Sequence, residues 1–139
     1  MASKLDMVRY DENIALVHSD LRRRIYDPEE ILSGLDGKWY IHNIIVVSQD
    51  GLELGRHFHD YDEVFFTPTG IFDFKLLDID NLETRKYSLP PGSRIFIPEK
   101  VGHIATGHKG NVLLSYGNAL FNPERTTPCS EQFLLFENS

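Results

Sequence analysis

From about residue 38 onward, apolar residues alternate with polar ones or fall in short runs, and Gly, Pro, Asn and Asp punctuate them. Phe72, Phe74 and Leu76 alternate with Asp73 and Lys75, the period-two pattern of a strand with one buried face. The pattern predicts strands over 39–48, 63–67, 71–78, 83–88, 94–97, 103–106, 112–116 and 132–136. Residues 78–82 read as a polar hairpin, and Pro90-Pro91-Gly92 as a hard turn. One helix is expected early: Asp27 can cap it, Pro28 suits its first position, Glu30 completes a capping box, and Gly34 or Gly37 ends it. The stretch 14–26 supplies one or two extra strands. Many short, evenly spaced strands predict an all-β sandwich or barrel. No repeat or linker divides the chain, so 1–139 reads as one domain. It comprises an N-terminal extension (1–38), a barrel core (39–120) and a tail strand within 121–139.

Composition narrows the classes. The 139 residues are 41% hydrophobic, 12% aromatic and 25% charged, which is globular and not disordered. A chain of this length buries enough surface to fold without disulfides. The net charge of −7 repels phosphate backbones, so no nucleic-acid partner is expected. The longest apolar runs, 44–47 and 133–136, fall far short of the roughly 18 residues that cross a bilayer, so no membrane partner is expected either. The opening MASKLDMVRYDEN lacks the apolar core of a secretory signal, and the lone Cys129 has no internal disulfide partner. A cytoplasmic location follows as the expectation.

The six histidines are unevenly placed. His57 and His59 flank Phe58, and residues two apart on a strand share a face, so both imidazoles can meet one ion or one ligand. Glu63 follows with matching parity, and His103 comes forty residues later, behind Pro98 and Gly102.

These positions resemble the cupin family. The first cupin motif is Gly, five residues, His-x-His, three or four residues, Glu, six residues, Gly; Gly51, His57, His59, Glu63 and Gly70 fit every fixed position. A chance match for this length is on the order of one in 10⁵. In the second motif Gly92, Pro98 and His103 fit, whereas Lys100 stands where Gly is usual and Gly107 where Asn is usual. The resemblance covers 51–107. It implies a double-stranded β-helix (jelly-roll) barrel with His57, His59, Glu63 and His103 lining its mouth. Three imidazoles and a carboxylate suit a divalent first-row metal, with Zn, Fe, Mn, Ni and Co all open. The alternative is a site without metal, whose histidines hydrogen-bond one another, Glu63 or a ligand. The segment 117–125, with its aromatic-x-Pro-Glu run, is weakly similar to the barrel exit of nucleotide-sugar cupins: 3,5-epimerases, 3,4-ketoisomerases and related capsule-sugar enzymes. Several of those work without metal, with a His-x-His histidine as acid or base.

Other residues read as structural. His18, His42 and His108 have no partner pattern and are expected as surface or satisfied core histidines. Arg56 is expected to point away from the ligand face. Arg22-Arg23-Arg24 fits an exposed edge strand, where charge discourages edge pairing, with a phosphate contact as the alternative. Phe65, Phe72, Phe74, Phe96 and Tyr116 are assigned to barrel filling, and Cys129 receives no chemical role.

Three functions remain open. The first is an isomerase or epimerase of a sugar, nucleotide-linked or not, or of a small carbonyl compound. Its catalytic residues would be His57, His59, Glu63 and Tyr61, and its metal ligands His57, His59, Glu63 and His103. Near-neutral imidazoles move protons beside a carbonyl, and a metal stabilises the enolate. The second is a metal-dependent dioxygenase. The third is a small-molecule (sugar) binding cupin without turnover. One fold hosts all three. The long N-terminal extension with its free strand edges predicts a homodimer.

Overall fold

The computed structural model describes residues 3–137. Two five-stranded antiparallel sheets face one another. Their strands are β1 (Arg9–Asp11), β2 (Leu16–Ser19), β3 (Arg24–Tyr26), β4 (Tyr40–Val46), β5 (Glu53–His59), β6 (Glu63–Thr69), β7 (Phe72–Asp78), β8 (Thr84–Leu89), β9 (Ser93–Ile97), β10 (Val101–Thr106), β11 (Val112–Gly117) and β12 (Thr126–Pro128). The first sheet runs β1-β9-β6-β11-β4 and the second β12-β5-β10-β7-β8; β2 and β3 form a separate hairpin. From β4 to β12 consecutive strands alternate between the sheets except β7 and β8, which form a hairpin within the second; this is the jelly roll that the resemblance implies, within the sandwich-or-barrel class that the strand spacing predicts.

Side-chain parity sorts the core into three parts. Phe65, Phe72, Phe74, Leu76, Ile95 and Leu113 point between the sheets and fill the barrel. Val64 and Phe66, one position out of phase, point to the outer face of the first sheet. There they pack with Ile31, Tyr116, Tyr26 and Trp39, so the N-terminal extension covers that face. Arg94, almost fully buried, fastens it: Nε donates to Asp11 Oδ2 at 2.9 Å and Nη1 to the Ile31 carbonyl at 2.8 Å. The third part, Leu77, Ile104, Cys129 and Phe133, lies on the outer face of the second sheet. Phe96 and Tyr116, assigned to the barrel interior from sequence, belong to the outer layer instead, because both faces of the first sheet are covered.

Two elements differ from the sequence expectation. The early helix is a single 3₁₀ turn, Glu30–Leu32. Its N-cap is Glu29, without a side-chain cap, and not Asp27; Asp27 Oδ1 instead accepts from the Glu29 amide at 3.0 Å in the preceding turn, and the chain turns away after three residues once Ile31 is buried. The tail run 132–136 is not a strand but part of the helix α1, Ser130–Glu137. A four-residue apolar run carries no period of its own. Here Phe133 is buried while Leu134 and Leu135 face outward, and the helix satisfies the backbone within the segment. Burying Phe133 is worth roughly 2–3 kcal/mol. Among the described residues no helix is long and apolar enough to cross a membrane.

Candidate active site

The strand holding the His-x-His pair is β5, and it is not regular. Gly55 and Arg56 both have left-handed backbone, φ 108° and 64°. The register against β10 shifts there, with His103 opposite His57 and Ile104 opposite Gly55. A β-bulge of this kind re-aims the side chains beside it. Only glycine fits position 55, since a Cβ would lie 2.6 Å from the His103 carbonyl oxygen. Arg56 stays off the cavity wall, as expected, and pairs with Glu53 at 2.8 Å.

His57 and His103 are direct cross-strand partners with ring centroids 4.7 Å apart. His59 stands 4.7 Å from His57 and 5.6 Å from His103. One ring nitrogen from each of the three lies within 4.8 Å of the others. Glu63 enters from the opposite sheet at the start of β6, its Oε1 3.3 Å from His59 Nε2 and 3.6 Å from His103 Nδ1. The four residues implied by the resemblance therefore converge.

Burial sets their charge state. His57 is held below the ordinary histidine value by burial, partly offset by a backbone hydrogen bond at Gly55. His59 is pushed down to about 4 by burial and then by the neighbouring His57 and His42 rings. Burial, followed by the other two imidazoles, puts His103 well below its usual value. Burial raises Glu63 well above the carboxylate range. Burial thus works against the charged form of all four groups and against ion pairing of Glu63 with His59 and His103. His59 Nδ1 faces Thr126 Oγ1 at 3.0 Å, which leaves Nε2 turned to Glu63 Oε1. His103 Nδ1 is fully buried and has no hydrogen-bond partner.

Tyr61 stacks on His59 at 4.7 Å and 19° between planes, and the Arg125 guanidinium lies 5.3 Å from its ring centroid. Its hydroxyl is pushed up to about 12, chiefly by burial and then by Glu63, so it keeps its proton. Arg125 is fixed by Asp60, Nε donating to Oδ1 at 2.6 Å. The bend between β5 and β6 is tied on both sides. Asp62 Oδ1 accepts from the Glu99 amide at 2.8 Å, and the Asp62 amide donates to Asn118 Oδ1 at 2.9 Å. Lys100, the non-glycine in the second motif, adopts φ 61°, the conformation a glycine would take freely. Its amide donates to the His59 carbonyl at 2.7 Å.

The cluster forms one wall of a cavity of about 340 Å³. Ile45, Leu54, Phe65, Ala105, Leu113 and Phe121 supply apolar surface; Asn43, Ser115, Thr126 and Tyr61 add polar groups. No lysine or arginine is among its lining residues. His42, read from sequence as having no site role, also lines it. His18 and His108 are elsewhere and solvent-facing, each beside an aspartate (Asp20 and Asp50). Sequence reasoning missed His42, Asn43, Ser115 and Thr126. Phe121 and Pro123 fall in the segment whose likeness to the barrel exit is noted above.

No family model matches the sequence, and no curated protein matches it. Solved structures do. A 3,4-ketoisomerase from Helicobacter canadensis is 18% identical with a TM-score of 0.70, over 95% of this chain and 98% of that one. QdtA, a sugar 3,4-ketoisomerase from Thermoanaerobacterium thermosaccharolyticum in complex with TDP, is 16% identical with a TM-score of 0.64, over 93% and 96%. dTDP-4-dehydrorhamnose 3,5-epimerase from Bacillus anthracis, with TDP and pyrophosphate bound, is 14% identical with a TM-score of 0.70, over 87% and 77%. The likeness is one of fold: this chain is an all-β jelly-roll barrel, the fold it shares with those ketoisomerases and that epimerase.

Proposed function

We propose that this protein is an isomerase or epimerase that moves a proton at a carbon beside a carbonyl, with a keto sugar as substrate and a nucleotide-linked 4-keto sugar as the first compound to test. The observation that carries this reading is the convergence of three imidazoles and one carboxyl on the wall of an apolar cavity. A neutral imidazole has a lone pair to take a carbon-bound proton, and Tyr61 keeps a proton to give. His57 is the least buried of the three histidines and acts as the base; His59 and Glu63, 3.3 Å apart, return a proton to the substrate oxygen. An apolar, cation-free compartment of this size encloses an uncharged sugar ring, which leaves a diphosphate outside it.

The same residues would hold a divalent cation. The partnerless His103 Nδ1 and the ring nitrogens of His57, His59 and His103 within 4.8 Å of one another fit one, and Glu63, 3.3 Å from His59 and 3.6 Å from His103 but outside that three-histidine group, is the proposed fourth ligand. A bound metal would polarise a substrate carbonyl and stabilise the enolate. The protein is further proposed to act as a homodimer. Strand β4 is a sheet edge, and Ile41, Ile44 and Val46 on it are more than half exposed, a surface a second copy would cover.

Incubation with TDP-4-keto-6-deoxyglucose in D₂O tests the reaction. Deuterium should enter beside the carbonyl, and His57→Ala should abolish it; no uptake by the wild type, with or without added metal, would remove this substrate class. Elemental analysis of the purified protein beside His57→Ala tests the cation, and oxygen uptake would favour a dioxygenase instead. Light scattering tests the dimer, with a monomer mass in dilute solution as the refuting result.

A further inference from the structure

The chemistry proposed above needs a second proton-transfer group. When a carbonyl migrates to its neighbour, the C–H bond of the neighbouring carbon breaks, its electron pair forms a C=C bond, and the old carbonyl oxygen takes a proton. The resulting enediol then loses the O–H proton of the neighbouring hydroxyl as its C=O forms, and the C=C pair takes a proton at the former carbonyl carbon. Two protons leave and two return, with no oxidant. His57, with the His59–Glu63 pair beside it, serves the first half.

The geometry points to His42 as the residue that takes and returns the proton in the second half. The ladder between β4 and β11 slips at this point: Ser115 is opposite Asn43 and Tyr116 opposite Ile41, so His42 is the extra residue of a bulge. Neighbours on a regular strand point to opposite faces, yet His42 and Asn43 both line the cavity. They come from the first sheet, whereas His57, His59 and His103 come from the second.

The His42 ring is held for this task. Its Nε2 lies 2.6 Å from the Ala119 carbonyl oxygen, a contact that requires a proton on Nε2 and therefore leaves a lone pair on Nδ1. No hydrogen bond within the protein uses that Nδ1 among the described residues. Tyr61 at 5.2 Å and Phe121 at 5.5 Å contact the ring edge-on. Gly117 lies beneath it, and a Cβ there would sit 2.2 Å from Cε1. The ring has one orientation, a fixed tautomer and a carbonyl placed to stabilise the imidazolium formed when Nδ1 takes the hydroxyl proton. Asn43, hydrogen-bonded to Ser115 Oγ at 3.3 Å, is the adjacent amide that can hold the same hydroxyl.

This inference rests on the proposed isomerase reading, and one experiment separates the two. His42→Gln keeps a donor for Ala119 but cannot accept and return a proton. Carbon-bound hydrogen exchange in D₂O and formation of the rearranged ketone are followed together. The variant should keep exchange within about threefold of wild type while product formation falls about 100-fold or more, in line with the loss of one acid–base group. Added imidazole should restore product formation in His42→Gly. Product formation near the wild-type rate, or equal loss of exchange and product without imidazole rescue, would overturn the role of His42. Absence of both in the wild type would instead sink the isomerase reading.

Discussion

Replacing His103 with leucine should stabilise the metal-free protein. The imidazole is buried, its Nδ1 has no hydrogen-bond partner, and Glu63 Oε1 at 3.6 Å is beyond bonding distance. Burial lowers His103 and raises Glu63, which works against an ion pair that would offset the lost hydration. A buried polar atom left in this way costs about 1–3 kcal/mol. Leucine has nearly the same volume, is packed against Phe65, and has no polar atom to strand. At about 2 cal/mol/K per residue, a chain of this length shifts its melting temperature by roughly 3–4 °C per kcal/mol. His103→Leu should therefore melt about 3–10 °C above wild type in a chelator. Added divalent metal should reverse the order, since binding to the native state stabilises only the chain that retains the ligand. The assay is thermal unfolding followed by circular dichroism, with and without metal. A variant that melts at or below wild type in chelator would show that the Nδ1 carries no such penalty, and would refute this reasoning.

Lys100→Gly should also stabilise, by up to about 1 kcal/mol: a left-handed backbone costs an L residue about 1–2 kcal/mol, and glycine's larger unfolded-state entropy takes back part of that gain. A denaturant midpoint at or below wild type would show that the turn carries no strain. The metal-free protein should lose stability as pH falls from about 6.5 towards 4. His59 titrates near 4 when folded against 6.5 when unfolded, so the unfolded chain binds more protons in that window, and His57 and His103 act in the same direction. Glu63, raised on folding, opposes this above its ordinary value of 4.5, so Glu63→Gln should steepen the acid loss. Denaturant midpoints that stay flat from pH 7 to 4.5 would contradict the assignment of buried neutral histidines.

Much of the fold was legible because strand signals are local. The alternation in 72–76 reappears as Phe72, Phe74 and Leu76 inside the barrel, and Pro90-Pro91-Gly92 does separate β8 from β9. The tail was misread because Phe133-Leu134-Leu135-Phe136 is too short to show a period, and its partner, the outer face of the second sheet, is remote in sequence. His42 was missed for a related reason. Its neighbours Ile41 and Ile44 look like ordinary strand residues, and nothing local announces a bulge.

The sequence alone determined the all-β sandwich-or-barrel class, since strand period is a property of the chain itself, and its likeness to the cupin motifs pointed to the jelly roll and to His57, His59, Glu63 and His103 as one group. Tertiary structure decided the rest. Burial disfavours charge on the histidines and Glu63, two bulges turned His57 and His42 into one cavity, and the N-terminal extension sealed the outer face of the first sheet. Each of these depends on distant segments meeting, where dielectric, backbone register and packing are set by neighbours that no local pattern encodes.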